Sequence, residues 1–222
     1  MKKVLIIGAS RGIGLEFARQ LCASGSLVFA TSRDQEGLDR LKALGAKALQ
    51  LDVAKPKSTE HFLSALKAER FDCVLHVAGV LGPRSDATSA LTFAQFDEVM
   101  HTNVGCVVQM LPALAKHLTP VHGKWISISS VMASISLTQD SAAWVYKISK
   151  AALNMAIHSA SKEHKELLLV AMSPGWVQTD MGTSAAPLSA KTSVSNMLKT
   201  IGSLDHSDTG KFLNHDGLEL GW

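Results

Sequence analysis

Tyr146 is the single tyrosine in 222 residues, and Lys150 stands four places after it in a stretch that reads as helix. Residues four apart on a helix share a face, with about 6 Å between their Cβ atoms. A phenol beside an ammonium group is a potential acid–base pair. At an effective dielectric of about 20 and a separation of about 5 Å, the lysine charge favours tyrosinate by roughly 3 kcal/mol. That shift of about 2 pKa units moves a phenol from about 10 to about 8, where it can exchange a proton near neutral pH. The competing reading is an aromatic ring packed at a helix start beside a snorkelling lysine.

A second set of residues suits phosphate. Gly8-Ala9-Ser10-Arg11-Gly12-Ile13-Gly14 follows the apolar run Val4–Ile7 and opens a helical pattern. Glycines there let the backbone approach a pyrophosphate, while the helix N-terminus supplies amide donors. Further on, Ser32 and Arg33 stand where an NAD-binding chain places an acid for the ribose 2′-hydroxyl. An arginine accommodates a 2′-phosphate instead, and Arg11 could approach the same group. NADP(H) is therefore expected over NAD(H). Read otherwise, Arg33 is a solvated strand-end charge partly neutralised by Asp34.

The spacing G-x-x-x-G-x-G, with Ile13, resembles the fingerprint of the short-chain dehydrogenase/reductase family, and further segments extend the resemblance in order over most of the chain. The resemblance implies that Asp52, with Val53 beside it, binds the adenine and that Ala78-Gly79 lies along the adenosine ribose. The family usually carries Asn-Asn-Ala-Gly there; His76 and Val77 replace the asparagines, so their sheet-stabilising hydrogen bonds are not implied. Asn103 would bend its helix and hold a water leading to the lysine. Ser130 would bind the substrate oxygen, with Ser129 as the alternative because the sixteen-residue interval from Ser130 to Tyr146 is longer than usual. Pro174 and Gly175 would lie beside the nicotinamide, and Val177 and Thr179 would contact its carboxamide. Tyr146 and Lys150 would touch the cofactor as well as the substrate. The ending Gly210–Trp222, with Ser134-Ile135-Ser136, resembles the C-factor and sniffer-type carbonyl reductase branch.

These groups need elements to hold them. Val4–Ile7, Leu27–Ala30, Ala48–Leu51, Cys73–Val77, Trp125–Ile128 and Leu167–Ala171 read as strands, with Lys211–Leu213 as a short last one. Most are apolar on both faces, as helix-covered parallel strands must be. Ile13–Ala23, Gly37–Leu44, Thr59–Ala68, Phe93–His117 and Tyr146–Glu163 carry helical patterns. Strand–helix alternation predicts a single-domain α/β protein over 1–222, a Rossmann-like doubly wound parallel sheet. A short substrate lid is expected at about 181–208. Trp144 could border a substrate or simply pack.

Composition narrows the alternatives. The 22 basic and 19 acidic residues are scattered, without a dense basic run for nucleic acid or a membrane surface. Cys22, Cys73 and Cys106 lack disulfide or zinc spacing, the histidines lack an H-E-x-x-H site, and no metal is expected. The apolar run after Met1-Lys2-Lys3 stops at Gly8, too short for a signal peptide, and no apolar stretch reaches membrane-helix length. A soluble cytoplasmic protein is expected. A serine hydrolase is not expected.

The resemblance implies an NADPH-dependent reductase of ketones or aldehydes. Hydride would come from the nicotinamide and a proton from Tyr146, with Ser130 orienting the oxygen and Lys150 tuning the phenol. The partner would be a small carbonyl or alcohol, and the oligomeric state is open between monomer, homodimer and homotetramer. The alternative is an NADP(H)-binding signalling protein of C-factor type with little turnover. A dehydratase or epimerase on the same scaffold is a third reading.

Overall fold

The computed structural model describes residues 1–66, 68–120 and 122–222. Its strands are β1 (Lys3–Ile7), β2 (Leu27–Ser32), β3 (Lys47–Gln50), β4 (Cys73–His76), β5 (Lys124–Ile128), β6 (Leu168–Ser173), β7 (Val177–Gln178), β8 (Leu188–Ser189) and β9 (Phe212–Asn214). Seven of them form one sheet in the order β3-β2-β1-β4-β5-β6-β9, and every pairing in it is parallel. The expected doubly wound α/β fold is therefore present.

Helices cover both faces. On one, α3 (Pro56–Ala65), α5 (Cys106–Ala115) and α6 (Trp144–Glu163) contribute Phe62, Met110, Leu114, Leu153 and Ile157 to a core with Leu5, Val74 and Trp125. On the other, α1 (Gly12–Ala23), α2 (Gln35–Ala43) and α7 (Ala190–Ser203) bury Phe17, Leu41, Val194, Met197 and Ile201 against Ile6, Ile126 and Val170. Connections run outward in both directions from the β1/β4 pair, so the loops after these strands diverge. The crevice they leave at the carboxyl ends is where ligands bind in open parallel sheets.

Several boundaries differ from the sequence reading for local reasons. Asp34 caps α2, accepting from the Gly37 N–H at 2.7 Å, and starts it before Gly37. Pro56 occupies the first turn of α3, which begins before Thr59 and ends at Ala65; Lys67, within the expected Thr59–Ala68 helix, lies outside the described residues. The expected Phe93–His117 helix is divided into α4 (Phe93–Met100), a π-helical turn (His101–Gly105) and α5.

The larger correction concerns 181–208. Half of this expected lid is α7, capped by Ser189, which accepts from the Thr192 N–H at 3.0 Å. Its side chains Val194, Met197 and Ile201 are fully buried, so this helix is a core layer, while Met181 and Gly182 at the start of the segment line the cavity described below. Their spacing of three and four is helical, but intervening Ser, Thr and Lys masked it in the sequence. Among the described residues no helix is long and apolar enough to cross a membrane.

Candidate active site

A cavity of about 340 Å³ opens at the carboxyl ends of the central strands. Its walls include Gly8, Ser10, Arg11, Gly12, Ile13 and Gly14 from the first loop, and Arg33, Asp52, Val53, Ala78 and Gly79 from the next turns. Ser130, Tyr146, Lys150, Pro174, Gly175, Val177 and Thr179 line it as well, whereas Asn103, also expected, does not. Residues scattered over most of the chain thus meet in one crevice.

The glycine loop is held by tight contacts. Gly8 has φ +86° and donates its N–H to Thr31 Oγ1 at 2.9 Å. A Cβ at Gly8 would fall 2.7 Å from the Ala78 backbone, and one at Gly14 would fall 2.1 Å from the Gly8 carbonyl oxygen. No side chain caps the start of α1, leaving its first-turn amides available to an anion. Close backbone packing at the glycines and uncapped helix amides fit a pyrophosphate. At the end of β2, the Asp34 carboxylate is committed to the α2 cap. The Arg11 guanidinium lies against Asp180, Nη1 to Oδ2 3.0 Å, at the Thr179 end of the cavity.

The other end holds the groups suited to proton transfer. Tyr146 sits in the first turn of α6, and burial pushes its phenol up to about 12, with the Ser130 side chain acting in the opposite direction. Lys150 is buried too, and desolvation brings it down to about 8, opposed by Cys106. The expected fall of the tyrosine to about 8 is therefore corrected: it is the lysine that falls. Removal from water disfavours the charged form of each group. Lys150 Nζ lies 5.7 Å from the Tyr146 ring centroid and donates to the Ile128 carbonyl at 2.8 Å, so its charge is directed partly at a backbone dipole. Near neutral pH the phenol keeps its proton and can give it up to a stronger base.

The two serines are distinguished by their partners. Ser129 Oγ, buried, donates to Asn154 Oδ1 at 2.6 Å. Ser130 Oγ accepts from the Met132 N–H at 3.2 Å and faces Tyr146 across the cavity, near enough to act on its phenol.

Asn103 lies in the π-helical turn and does not line the cavity. Its Oδ1 accepts from the Val80 N–H at 2.8 Å, and its Nδ2 donates to the Val80 carbonyl and Ser149 Oγ, each at 2.9 Å. Ser149 Oγ in turn donates to the Tyr146 carbonyl at 2.8 Å. A Cβ at Gly79 would stand 3.3 Å from Asn103 Oδ1 and 3.4 Å from Lys150 Nζ, so these three residues converge. Asn103 thereby fastens the loop after β4 to α6.

Met132 and Trp176 also line the cavity, although the sequence reading did not single them out, as does Met181 at the start of the expected lid. The signal for Trp176 was its place directly after Pro174-Gly175; Trp144, considered instead, is not a cavity wall.

The family profile described as short chain dehydrogenase matches residues 2–188. The chain belongs to that family. It sits in the branch of the C-signal and the Sniffer-type carbonyl reductases. The C-signal of Myxococcus xanthus is 41% identical over 97 residues, 43% of this chain and 58% of that protein; the match spans less than two thirds of the relative. Carbonyl reductase Sniffer of D. melanogaster superposes with a TM-score of 0.90 at 27% identity, covering 100% of both chains. The NADPH-bound carbonyl reductase from chicken fatty liver superposes with a TM-score of 0.87 at 31% identity, covering 100% of this chain and 99% of that one. Such neighbours support an oxidoreductase with a nicotinamide cofactor.

Proposed function

We propose that this protein is an NADPH-dependent reductase of ketones or aldehydes, reversible to alcohol oxidation. The observation that carries the reading is the convergence of Ser130, Tyr146 and Lys150 on the cavity whose other end is the glycine loop. When bound, the reduced nicotinamide supplies the hydride. Ser130 donates a hydrogen bond to the substrate oxygen and fixes its orientation, and Tyr146 gives that oxygen its proton as negative charge develops. Lys150 contacts the nicotinamide ribose and stabilises the tyrosinate left behind. Asn103 holds the loop and helix that place the lysine.

Gly8, Ser10, Gly12, Ile13 and Gly14 cradle the pyrophosphate; Asp52, Val53, Ala78 and Gly79 bind the adenosine; Pro174, Gly175, Val177 and Thr179 bind the carboxamide end. Arg33 takes the 2′-phosphate, supported by the commitment of Asp34 to capping α2. Its removal should weaken NADPH far more than NADH. Exposed apolar Val108 on α5 and Ile148 and Met155 on α6 support association into a homo-oligomer.

The test is NADPH oxidation across a panel of carbonyl compounds with the wild type and Tyr146→Phe. The variant should bind NADPH and lose at least ~10²-fold in turnover; undiminished turnover would remove the proposed role. A second reading is favoured by the C-signal similarity: an NADP(H)-binding signalling protein with little turnover. Tight NADPH binding with no oxidation of it across the panel would select that reading.

A further inference from the structure

His76 ends β4 directly before the cavity residues Val77, Ala78 and Gly79. Its side chain is fully buried on the α5/α6 face and lies nearly parallel to Trp125, with ring centroids 6.2 Å apart and planes at 13°. The imidazole Nε2 is 3.2 Å from Cys106 Sγ, and that thiol donates to the Thr102 carbonyl at 2.9 Å. With the thiol hydrogen on Thr102, the sulfur is left as the acceptor for an imidazole Nε2–H. Burial holds it neutral, far below the usual imidazole range at about 3.

This chain of contacts ends in the π-helical turn. Thr102 lies within it, Cys106 is the residue just after it, and Asn103 is next to Thr102. A π-turn is poorly stabilised by its own hydrogen bonds and persists where surrounding structure holds it. The turn is fastened twice, by His76 through Cys106 and by Val80 through Asn103, from either side of Ala78-Gly79. Slippage of the first fastening would move Asn103 relative to Val80 and Lys150.

We propose that His76 is a positioning residue, which through Cys106 and Thr102 sets the register of the π-helical turn and so the placement of Asn103 against Val80 and Lys150. The catalytic consequence rests on the carbonyl reductase reading above. The structural consequence is independent of it.

The experiment has two arms on the full chain. Amide hydrogen exchange at Val80, whose N–H is held by Asn103, reads the register directly, with Ile6 in β1 as the internal reference. His76→Phe and Cys106→Ala should each speed Val80 exchange at least ~10-fold relative to Ile6, and the double variant should be no worse than either single. His76→Gln, whose amide nitrogen can still donate to sulfur, should restore most of the protection. Equal acceleration at Val80 and Ile6, or unchanged Val80 exchange, would overturn the proposal. Should His76→Phe not fold, the comparison of Cys106→Ala with wild type decides in the same terms.

In the second arm, with whichever carbonyl compound is turned over, the same variants should lower kcat ~10-fold while NADPH affinity changes less than ~2-fold; unchanged kcat would overturn the catalytic part. A wild type without turnover would defeat the reductase reading alone, since the exchange arm still reports on His76.

Discussion

Arg11 Nη1 and Asp180 Oδ2 stand 3.0 Å apart and join the glycine loop to the segment after β7, two walls of one cavity. Both side chains are largely exposed, so the pair is worth only about 0–1 kcal/mol and is weakened by salt. On the proposed reading, in which Arg11 serves the dinucleotide, Asp180 competes with a cofactor phosphate for the same guanidinium. Asp180→Asn should therefore tighten NADPH binding, by at most about 5-fold, and Arg11→Ala should weaken it. Fluorescence titration at low and high salt checks both; identical affinities for wild type and both variants would show that Arg11 does not reach the dinucleotide.

The different partners of Ser129 and Ser130 make them separable. Ser130→Ala removes a donor aimed into the cavity and should cost roughly 10²–10³-fold in kcat, with little change in denaturation midpoint. Ser129→Ala leaves the buried Asn154 oxygen unsatisfied and should cost about 1–3 kcal/mol of stability, with turnover largely kept. The reverse pattern would assign the substrate oxygen to Ser129.

With one tyrosine in the chain, phenol ionisation can be followed by absorbance without interference. Burial raises the folded pKa of Tyr146 to about 12 from 10.0. The folded state therefore binds this proton more tightly than the unfolded state. The resulting stability is fully present below about pH 10 and is lost as pH rises from there through about 12. The cofactor-free protein should show no tyrosinate absorbance until that window, where ionisation and unfolding overlap. A midpoint near 10 in folded protein would contradict the burial.

Helix α7 offers a test of the division between core and lid. Met197 is fully buried between α7 and the sheet. Met197→Ala should lower stability by about 2–5 kcal/mol and leave kcat per folded molecule nearly unchanged, measured by urea unfolding beside steady-state assays. A substrate-dependent rise in KM without loss of stability would return this helix to the lid.

The sequence alone determined the parallel α/β framework, because apolar strand runs and helical periodicity are local signals that tertiary packing only had to satisfy. It also determined which residues meet. Gly8 to Gly14, Ser130, Tyr146 and Lys150 lie at strand ends or a helix start, and a parallel sheet gathers those ends on one edge. Helix α7 was hidden because three buried positions among polar neighbours make a weak pattern. Tertiary structure decided the charges and partners. Tyr146 and Lys150 are one helical turn apart as expected, yet burial reversed which pKa falls, since desolvation depends on everything packed around a group. The same is true of His76: as a letter it marks only a missing asparagine, and its contact with Cys106 exists because β4 and the start of α5, far apart in sequence, are pressed together in the core.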